Sequence, residues 1–306
     1  LRRKALVVEA VQRLCRALDV EFLRGESLAA QVSLRIGGEP LFVARPSSWQ
    51  SASALLEGLW KSGAPFKVLG GGTNLLIEEG ALGFGVLQLR RCGGTVRFDG
   101  EAVEADADVP MPALCAQAIR QGLSGLEGMA GIPGLVGGAV VMNAGAYGAE
   151  MSSLITHVAV IEQGSGFKWR EASSFSFGYR SSNVSSHGVV AGCRMLLKRD
   201  ERSAIEARFE ESKAKRLSSQ PWNVPSAGSV FKNPPGDFAG RILEQLGFRG
   251  KRRGGAGFSE IHANFLVNHG DATFADAWGL CEEARAAAAK AGVVLDYEME
   301  VWRRAL

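Results

Sequence analysis

Several residues of this 306-residue chain have types and spacings suited to chemistry. Arg180 follows Tyr179 in the run Phe175-Ser176-Phe177-Gly178-Tyr179-Arg180-Ser181-Ser182. A guanidinium beside a phenol can hold an oxyanion, and on this segment alone it also reads as an ordinary surface arginine. Ser229 lies in Pro225-Ser226-Ala227-Gly228-Ser229-Val230-Phe231-Lys232-Asn233-Pro234. Read as a strand over 229–233 ended by a proline turn, this run puts Ser229, Phe231 and Asn233 on one face, because side chains alternate along a strand. A hydroxyl and an amide there can address one ligand together; a plain structural strand fits as well. Near the end, Leu295-Asp296-Tyr297-Glu298-Met299-Glu300-Val301-Trp302 reads as a strand with Glu298 and Glu300 on a common face. Two ionised carboxylates that close repel when buried, so one is expected at a site and the other near solvent or a basic partner.

Glycine is the other signal, with 39 in the chain. Val68-Leu69-Gly70-Gly71-Gly72-Thr73-Asn74-Leu75-Leu76 delivers three glycines, a hydroxyl and an amide at the end of a strand. Glycine amides can converge on phosphate oxygens, but the run lacks the Gly-Lys-Ser/Thr of a Walker loop and the GxGxxG spacing of a dinucleotide loop. By itself it is equally a tight turn. The stretch from Gly125 to Gly148 includes Gly131-Ile132-Pro133-Gly134-Leu135-Val136-Gly137-Gly138-Ala139 and Asn143-Ala144-Gly145-Ala146-Tyr147-Gly148. Such density weakens any helix or strand and suits a backbone laid against an extended diphosphate ligand.

The elements that must position these residues alternate. A first helix is expected over 4–19, amphipathic and interrupted by Glu9, Gln12 and Arg13, unlike a signal segment. Leu34–Ile36 reads as a strand, Gly37-Gly38 as its turn and Leu41–Ala44 as a second strand. A helix over 47–62 is expected behind a Ser47 cap, stopping at Gly63, before the strand Phe66–Leu69. Hairpin signals cover 85–109, a helix 110–121, and strands 154–200. A charged helix spans about 201–217, with Arg208 near Glu211 and Glu211 near Lys215 one turn apart. After a junction near Ser218-Ser219-Gln220-Pro221 come a strand at 228–232, a helix at 237–247, a strand at 262–268 and a helix at 273–291. The fold class is α+β.

Composition narrows the function classes. Hydrophobic residues make up 46% and charged residues 22%, and the net charge is +3. This is a globular composition that gives no reason to expect nucleic acid or a membrane as partner. Cys15, Cys92, Cys115, Cys193 and Cys281 are odd in number and widely spaced, which argues against a disulfide framework and for a reducing, cytoplasmic setting. His157, His187, His262 and His269 show no ligand spacing, so no metal is expected.

In sequence order, the motifs Gly70–Asn74, Gly131–Gly138, Asn143–Gly148, Phe177–Arg180, Ser226–Pro234 and His262–Asn268 closely resemble the UDP-N-acetylenolpyruvoylglucosamine reductase family, over about residues 31–302. Six in order make coincidence implausible. The resemblance implies an FAD-binding fold of the vanillyl-alcohol-oxidase type in two subdomains, 1–89 and 90–217, and a substrate-binding domain over 218–306. It implies FAD held by Arg35, Ile36, Gly37, Gly70, Gly71, Gly72, Thr73, Asn74, Leu75, Gly131, Ile132, Pro133, Gly134, Gly137, Gly138, Ala139, Asn143, Gly145 and Ala146. Tyr179, Lys232 and Asn233 are implied at the UDP-sugar substrate.

The activity implied is NADPH-dependent reduction of an enolpyruvyl ether in peptidoglycan precursor synthesis. NADPH reduces the flavin, and the flavin then gives hydride to the vinyl carbon. Arg180 and one tail glutamate resemble the residues that stabilise the carbanionic species, and Ser229 resembles the proton donor. Spacing from Leu295 selects Glu298 and alignment through Val301 selects Glu300; Glu298 is preferred. Tyr297 departs from the family pattern, which has proline there. The short interval between Arg180 and Ser229 resembles the branch without an extra tyrosine loop. Arg249, Lys251, Arg252 and Arg253 read either as a diphosphate contact or as a solvated loop. A monomer is favoured. The rival readings are a same-fold FAD oxidoreductase with another substrate, and a non-catalytic FAD-binding module.

Overall fold

The strand Gly85–Gln88 is buried at all four positions, as a central strand covered on both faces must be. It lies between Val43–Arg45 and Phe66–Leu69, parallel to both, and Glu21–Leu23 adds an antiparallel edge. Parallel strands need a crossover, supplied here by the helix Trp49–Ser62, whose buried Ala52, Leu55, Leu56 and Leu59 recur at helical spacing. The cap falls one residue later than expected. Ser48, rather than Ser47, forms a reciprocal capping box with Ser51, and Gly63 ends it in the left-handed conformation (φ 63°).

A computed structural model describes residues 2–305, with side chains from residue 5. The described chain divides into two compact units. The first comprises 1–24, 42–71 and 84–215; the second comprises 25–41, 72–83 and 216–306. The division falls inside the helix Arg202–Ser219 and inside the triplet Gly70-Gly71-Gly72.

Besides the parallel sheet, the first unit holds an antiparallel sheet of five strands. Their order is Gly166–Glu171, Ile155–Glu162, Val189–Leu196, Ala102–Asp106 and Val96–Asp99. The helices Met111–Arg120 and Val136–Val141 contribute Leu114, Ala118, Val136 and Val140 to its core, beside Val158 and Cys193. The Glu211–Lys215 ion pair forms at 2.7 Å, whereas Arg208 turns away from Glu211 to Glu127 (2.8 Å) and Asp200 (2.6 Å). Glu127 is buried, and burial by itself opposes its ionisation. Bonds from the Gly125 amide, Arg208 and Ser124 outweigh that and hold its pKa low.

In the second unit the antiparallel sheet runs Ser226–Ser229, Phe265–Asn268, Ala256–Phe258 and Arg252–Arg253, packed by the helices Ala239–Gln245 and Phe274–Lys290. Leu34, Ile36 and Leu76 join this core. Here three expected strands are corrected. Leu34–Ile36 is not a strand, because Arg35 takes a left-handed φ of 58° that breaks an extended run. The strand expected over 229–233 instead spans Ser226–Ser229, with a register irregularity between those two residues; beyond it the backbone bonds to Asn264 and then to Asp296 instead of continuing the ladder. The tail strand is only Glu300–Trp302, parallel to Leu75–Ile77; Tyr297 makes one isolated bridge to Phe231.

No helix among the described residues is long and apolar enough to cross a membrane, and none of their His, Cys, Asp or Glu residues cluster as a metal site. All five cysteines are buried and none is in a disulfide; burial pushes the Cys115 and Cys193 thiols up to about 12.

Candidate active site

Within the first unit the two glycine runs touch. A Cβ on Gly71 would lie 2.8 Å from the Gly134 Cα, closer than real side chains approach, so these backbones meet only because Gly71 lacks one. Arg90 supports the turn from one side, donating through Nε to the Gly70 carbonyl (2.9 Å) and through Nη2 to that of Gly71 (3.3 Å). In a planar trans peptide the carbonyl and amide point oppositely, so holding these oxygens directs the Gly71 amide, and the next along the chain, to the other side. Nothing in the sequence marked Arg90 for this task. A Cβ on Gly70 or on Gly138 would meet nothing within 4 Å, and neither has a positive φ. Neither packing nor conformation within the protein requires glycine there. A group laid against that backbone would require it, and a flat cofactor carrying a diphosphate fits this cradle.

The same unit gathers the Tyr179–Arg180 turn against the glycine stretch. Phe177–Gly178 pairs with Ser181–Ser182, leaving Tyr179 and Arg180 as the turn, with Arg180 at φ 52°. Arg180 donates to the Gly145 carbonyl (2.6 Å) and lies over the Tyr179 ring at 5.0 Å. Ser182 Oγ donates to Val141 O (2.7 Å). Asn143, 1% exposed, donates to Gly178 O (3.0 Å) and accepts from Ser152 N (2.8 Å). Its side-chain amide ties the hairpin to the turn Met151–Ser153, so any part it has in cofactor binding rests on its main chain. Ala139 is buried, and Ile132 packs against the core. Gly131, Pro133, Gly137 and Ala146 lie at intermediate depth or are exposed.

The second unit holds the other candidates. Ser229 ends its strand half-buried, and its hydroxyl makes no hydrogen bond with the described residues. Val230 N–H donates to Asn264 O (2.8 Å), and the Asn264 side chain clamps Phe231 at both its N–H (3.0 Å) and its carbonyl (2.8 Å). Asn264 is 2% exposed. The motif His262–Asn268 implies no role for Asn264 by itself; its signal in the sequence is a polar residue ahead of the apolar run Phe265–Val267.

Beyond Val230 the chain meets the tail. Glu298 N–H donates to Val230 O (2.8 Å), Lys232 N–H to Asp296 O (2.8 Å), and Glu298 O accepts from Asn74 Nδ2 (3.0 Å). Ser229 and Glu298 therefore stand on directly bonded stretches, with Asn74 on the far side of Glu298. Glu300 is differently occupied: its Oε1 accepts from Trp302 Nε1 at 2.7 Å.

Near Asn74, the Gly72 carbonyl accepts from Ser33 N–H (2.9 Å), bringing the Arg35–Gly37 segment to the Gly72–Leu75 segment. Leu75 and Ile36 are buried, and Ile36 belongs to the unit's core, so only its backbone is available to a ligand. Lys232 is half-buried, and its ammonium has no partner among the described residues. Asn233 Oδ1 accepts from Ala239 N (3.0 Å), which commits that oxygen to the start of a helix. In the basic cluster Arg249 pairs with Glu244 (2.5 Å) and Lys251 with Glu283 (2.5 Å), so these two of its four cations already face carboxylates.

Two family profiles match. One, described as UDP-N-acetylenolpyruvoylglucosamine reductase, C-terminal domain, covers residues 220–302; the other, described as FAD binding domain, covers 40–166. The UDP-N-acetylenolpyruvoylglucosamine reductase of Moorella thermoacetica is 39% identical over 94% of this chain and 96% of its own. The chain belongs to the UDP-N-acetylenolpyruvoylglucosamine reductase family. The enzyme of that name from Geobacter sulfurreducens is 38% identical over 92% of this chain and 94% of its own. The crystal structure of the reductase from Thermus caldophilus superposes with a TM-score of 0.79 at 34% identity, covering 92% of this chain and 98% of that one. Within this family the α+β architecture of an FAD-binding domain followed by the reductase C-terminal domain is accounted for over nearly the whole chain. The FAD-binding match includes the Gly71–Gly134 approach, and the C-terminal match includes both Ser229 and Glu298.

Proposed function

We propose that this reductase converts UDP-N-acetylglucosamine-enolpyruvate to UDP-N-acetylmuramate, with NADPH as reductant, FAD as the resident cofactor, and Ser229, Glu298 and Arg180 at the reacting atoms. The observation that carries the assignment of residues is the 2.8 Å bond from Glu298 N–H to Val230 O, which keeps the tail backbone at 298 beside the serine strand. FAD, when bound, supplies the two-electron chemistry that a protein side chain lacks. Gly70, Gly71, Gly131, Gly134, Gly137 and Gly138 would hold it in the first unit, and Arg35–Gly37 and Gly72–Leu75 in the second.

Reduction of the vinyl ether adds one hydride equivalent to one carbon and one proton to its neighbour. Negative charge develops toward the substrate carboxylate as the first bond forms. Arg180 stabilises it as a fixed cation, already oriented by Gly145 O and the Tyr179 ring. Glu298 is the tail residue assigned, with Arg180, to the species that carries this charge. Ser229 Oγ gives its proton to the carbon next to the carboxylate, and solvent restores it. A hydroxyl is a weak acid, yet a carbanionic centre is basic enough to take its proton. Lys232 and Tyr179 are assigned to substrate oxygens. In this reading 1–89 and 90–217 serve the cofactor and 218–306 the substrate, and the enzyme works as a monomer in the cytoplasm with its cysteines reduced.

Anaerobic spectroscopy tests the proposal. The purified protein should be yellow, bleach with NADPH, and regain its colour when UDP-N-acetylglucosamine-enolpyruvate is added. Bleaching that the enolpyruvyl substrate fails to reverse would reject the assigned reaction while leaving the fold intact.

A further inference from the structure

We propose that Tyr297 is a positioning residue for Glu298, acting through a hydrogen bond to Glu282; this rests on the function proposed above. The tail around Glu298 has little regular structure to fix it. Among the described residues, the only strand-type pairing between Gly292 and Met299 is the isolated bridge Phe231↔Tyr297, and the ladder with Leu75–Ile77 begins only at Glu300. Glu298 is pinned by two main-chain contacts, from its N–H to Val230 O and from Asn74 Nδ2 to its carbonyl. Both act on its main chain, through its N–H and its carbonyl. The residue before it adds a tie of another kind, through a side chain to a different element.

Tyr297 is held by packing and by polarity at once. Its ring lies 5.0 Å from that of Phe231, two residues beyond Ser229, and 5.0 Å from Trp278, stacked at 27°. Trp278 stacks in turn on Phe274 at 6.2 Å and 8°. The column therefore runs from the serine segment, through the tail, to the helix Phe274–Lys290. That helix is a firm anchor, because Ala277, Leu280, Cys281, Ala284 and Ala288 are buried along one face and Thr273 and Asp276 cap its start. At the rim of the column the Tyr297 hydroxyl donates to Glu282 Oε1 at 2.6 Å, the short distance of a charge-assisted bond. Burial and the Glu282 carboxylate push the phenol pKa up, so it remains a donor at any working pH.

A ring alone can rotate and slide on its neighbours; the hydroxyl tie removes that freedom. Its consequence falls on the adjacent residue, Glu298, whose carboxylate must be held closely to act on a transition state. Phenylalanine at 297 would keep the stack and lose the tie. Proline, the residue of the family pattern, would stiffen the backbone by another route. The tyrosine is thus this chain's own means of fixing its tail.

The two half-reactions separate the possibilities. Tyr297→Phe and Glu282→Ala break the same bond from opposite ends. Each should slow substrate-driven reoxidation of the reduced flavin by about tenfold, with flavin content and the rate of bleaching by NADPH unchanged. The double variant should be no slower than either single one, and Glu282→Gln, which retains an acceptor oxygen, should recover most of the rate. Equal losses in both half-reactions, no loss in either, or single effects that add would overturn the inference. If Tyr297→Phe fails to fold, Glu282→Ala with Glu282→Gln decides by itself. A wild-type protein that the substrate cannot reoxidise would instead refute the proposed function, and this inference with it.

Discussion

The glycine cradle of the first unit and the Ser229–Glu298 region of the second are built by opposite means. The cradle is made by leaving side chains out: Gly71 approaches Gly134, Gly138 faces open space, and Arg90 turns the peptides from behind. The second region is made by main-chain bonds that carry side chains to a place: Val230 to Glu298, Asn74 to Glu298, and Asn264 around Phe231. The first should therefore respond to any added carbon, whatever its chemistry. The second should respond to chemistry changed at constant shape.

The largest expected effect lies in the second region. Ser229→Ala should reduce substrate-driven reoxidation on the order of a thousandfold while bleaching by NADPH is kept. Stopped-flow absorbance of the flavin reads both, and a normal second half-reaction would remove Ser229 as proton donor. Next, Glu298→Gln should cost roughly a hundredfold in the same step. Glu300→Gln should cost less than about threefold, because the amide oxygen of the substituted side chain can still accept from the Trp302 indole. The reverse order would move the catalytic role to Glu300.

The cradle gives smaller and differently shaped effects. Gly71→Ala places a carbon against Gly134 and should cost about 1–3 kcal/mol in thermal unfolding together with bound flavin. Gly138→Ala sharpens the contrast. It sits in the helix Val136–Val141 with open space beside it, so the flavin-free protein should gain up to about 1 kcal/mol from helix propensity. The same variant should bind FAD more weakly, read by flavin retained through gel filtration. Unchanged flavin affinity would show that no cofactor lies against Gly138.

The smallest effect concerns neither region's chemistry. Burial and the nearby Arg249 lower the pKa of His262 below its ordinary 6.5, and its Nδ1 accepts from Asn264 N–H at 3.2 Å. A histidine kept neutral in the fold but protonated in the unfolded chain favours unfolding as acid is added. Its contribution is complete above the ordinary pKa and is lost as pH falls from there toward the folded value, with a slope of at most about 1.4 kcal/mol per pH unit. Denaturant midpoints between neutral and mildly acid pH should show this slope, and His262→Gln should flatten it. An identical slope in the variant would assign the acid sensitivity elsewhere.

The helices were legible because periodicity and capping are local, whereas the hairpin expected over 85–109 holds only for Val96–Asp106, and Gly85–Gln88 joins the parallel sheet instead. Trp49–Ser62, Met111–Arg120 and Phe274–Lys290 fall within two residues of expectation. The failures came where a distant partner decides. Arg35 leaves extended geometry within a core built with Ile36, Leu76 and the C-terminal elements. The serine strand ends early because Asn264 and Asp296 take over the next residues' backbone bonds. Arg208 prefers Glu127 and Asp200, far away in sequence, to a helical neighbour.

Residue types and their order determined the family, the glycine-rich character of one region, and the identity of the serine, arginine and glutamates available for chemistry, because those are properties of the covalent chain. Only the tertiary structure decided that Glu300 is engaged by Trp302 while the backbone of Glu298 lies beside the serine strand, that Asn143 and Asn233 brace their own units, that Arg90 holds the Gly70 and Gly71 carbonyls, and that the Tyr297 hydroxyl reaches Glu282. Hydrogen bonds and ring contacts act over a few ångströms in space, whereas Asn74 and Glu298, which one such bond joins, are separated by 224 positions along the chain, where no local pattern can record it.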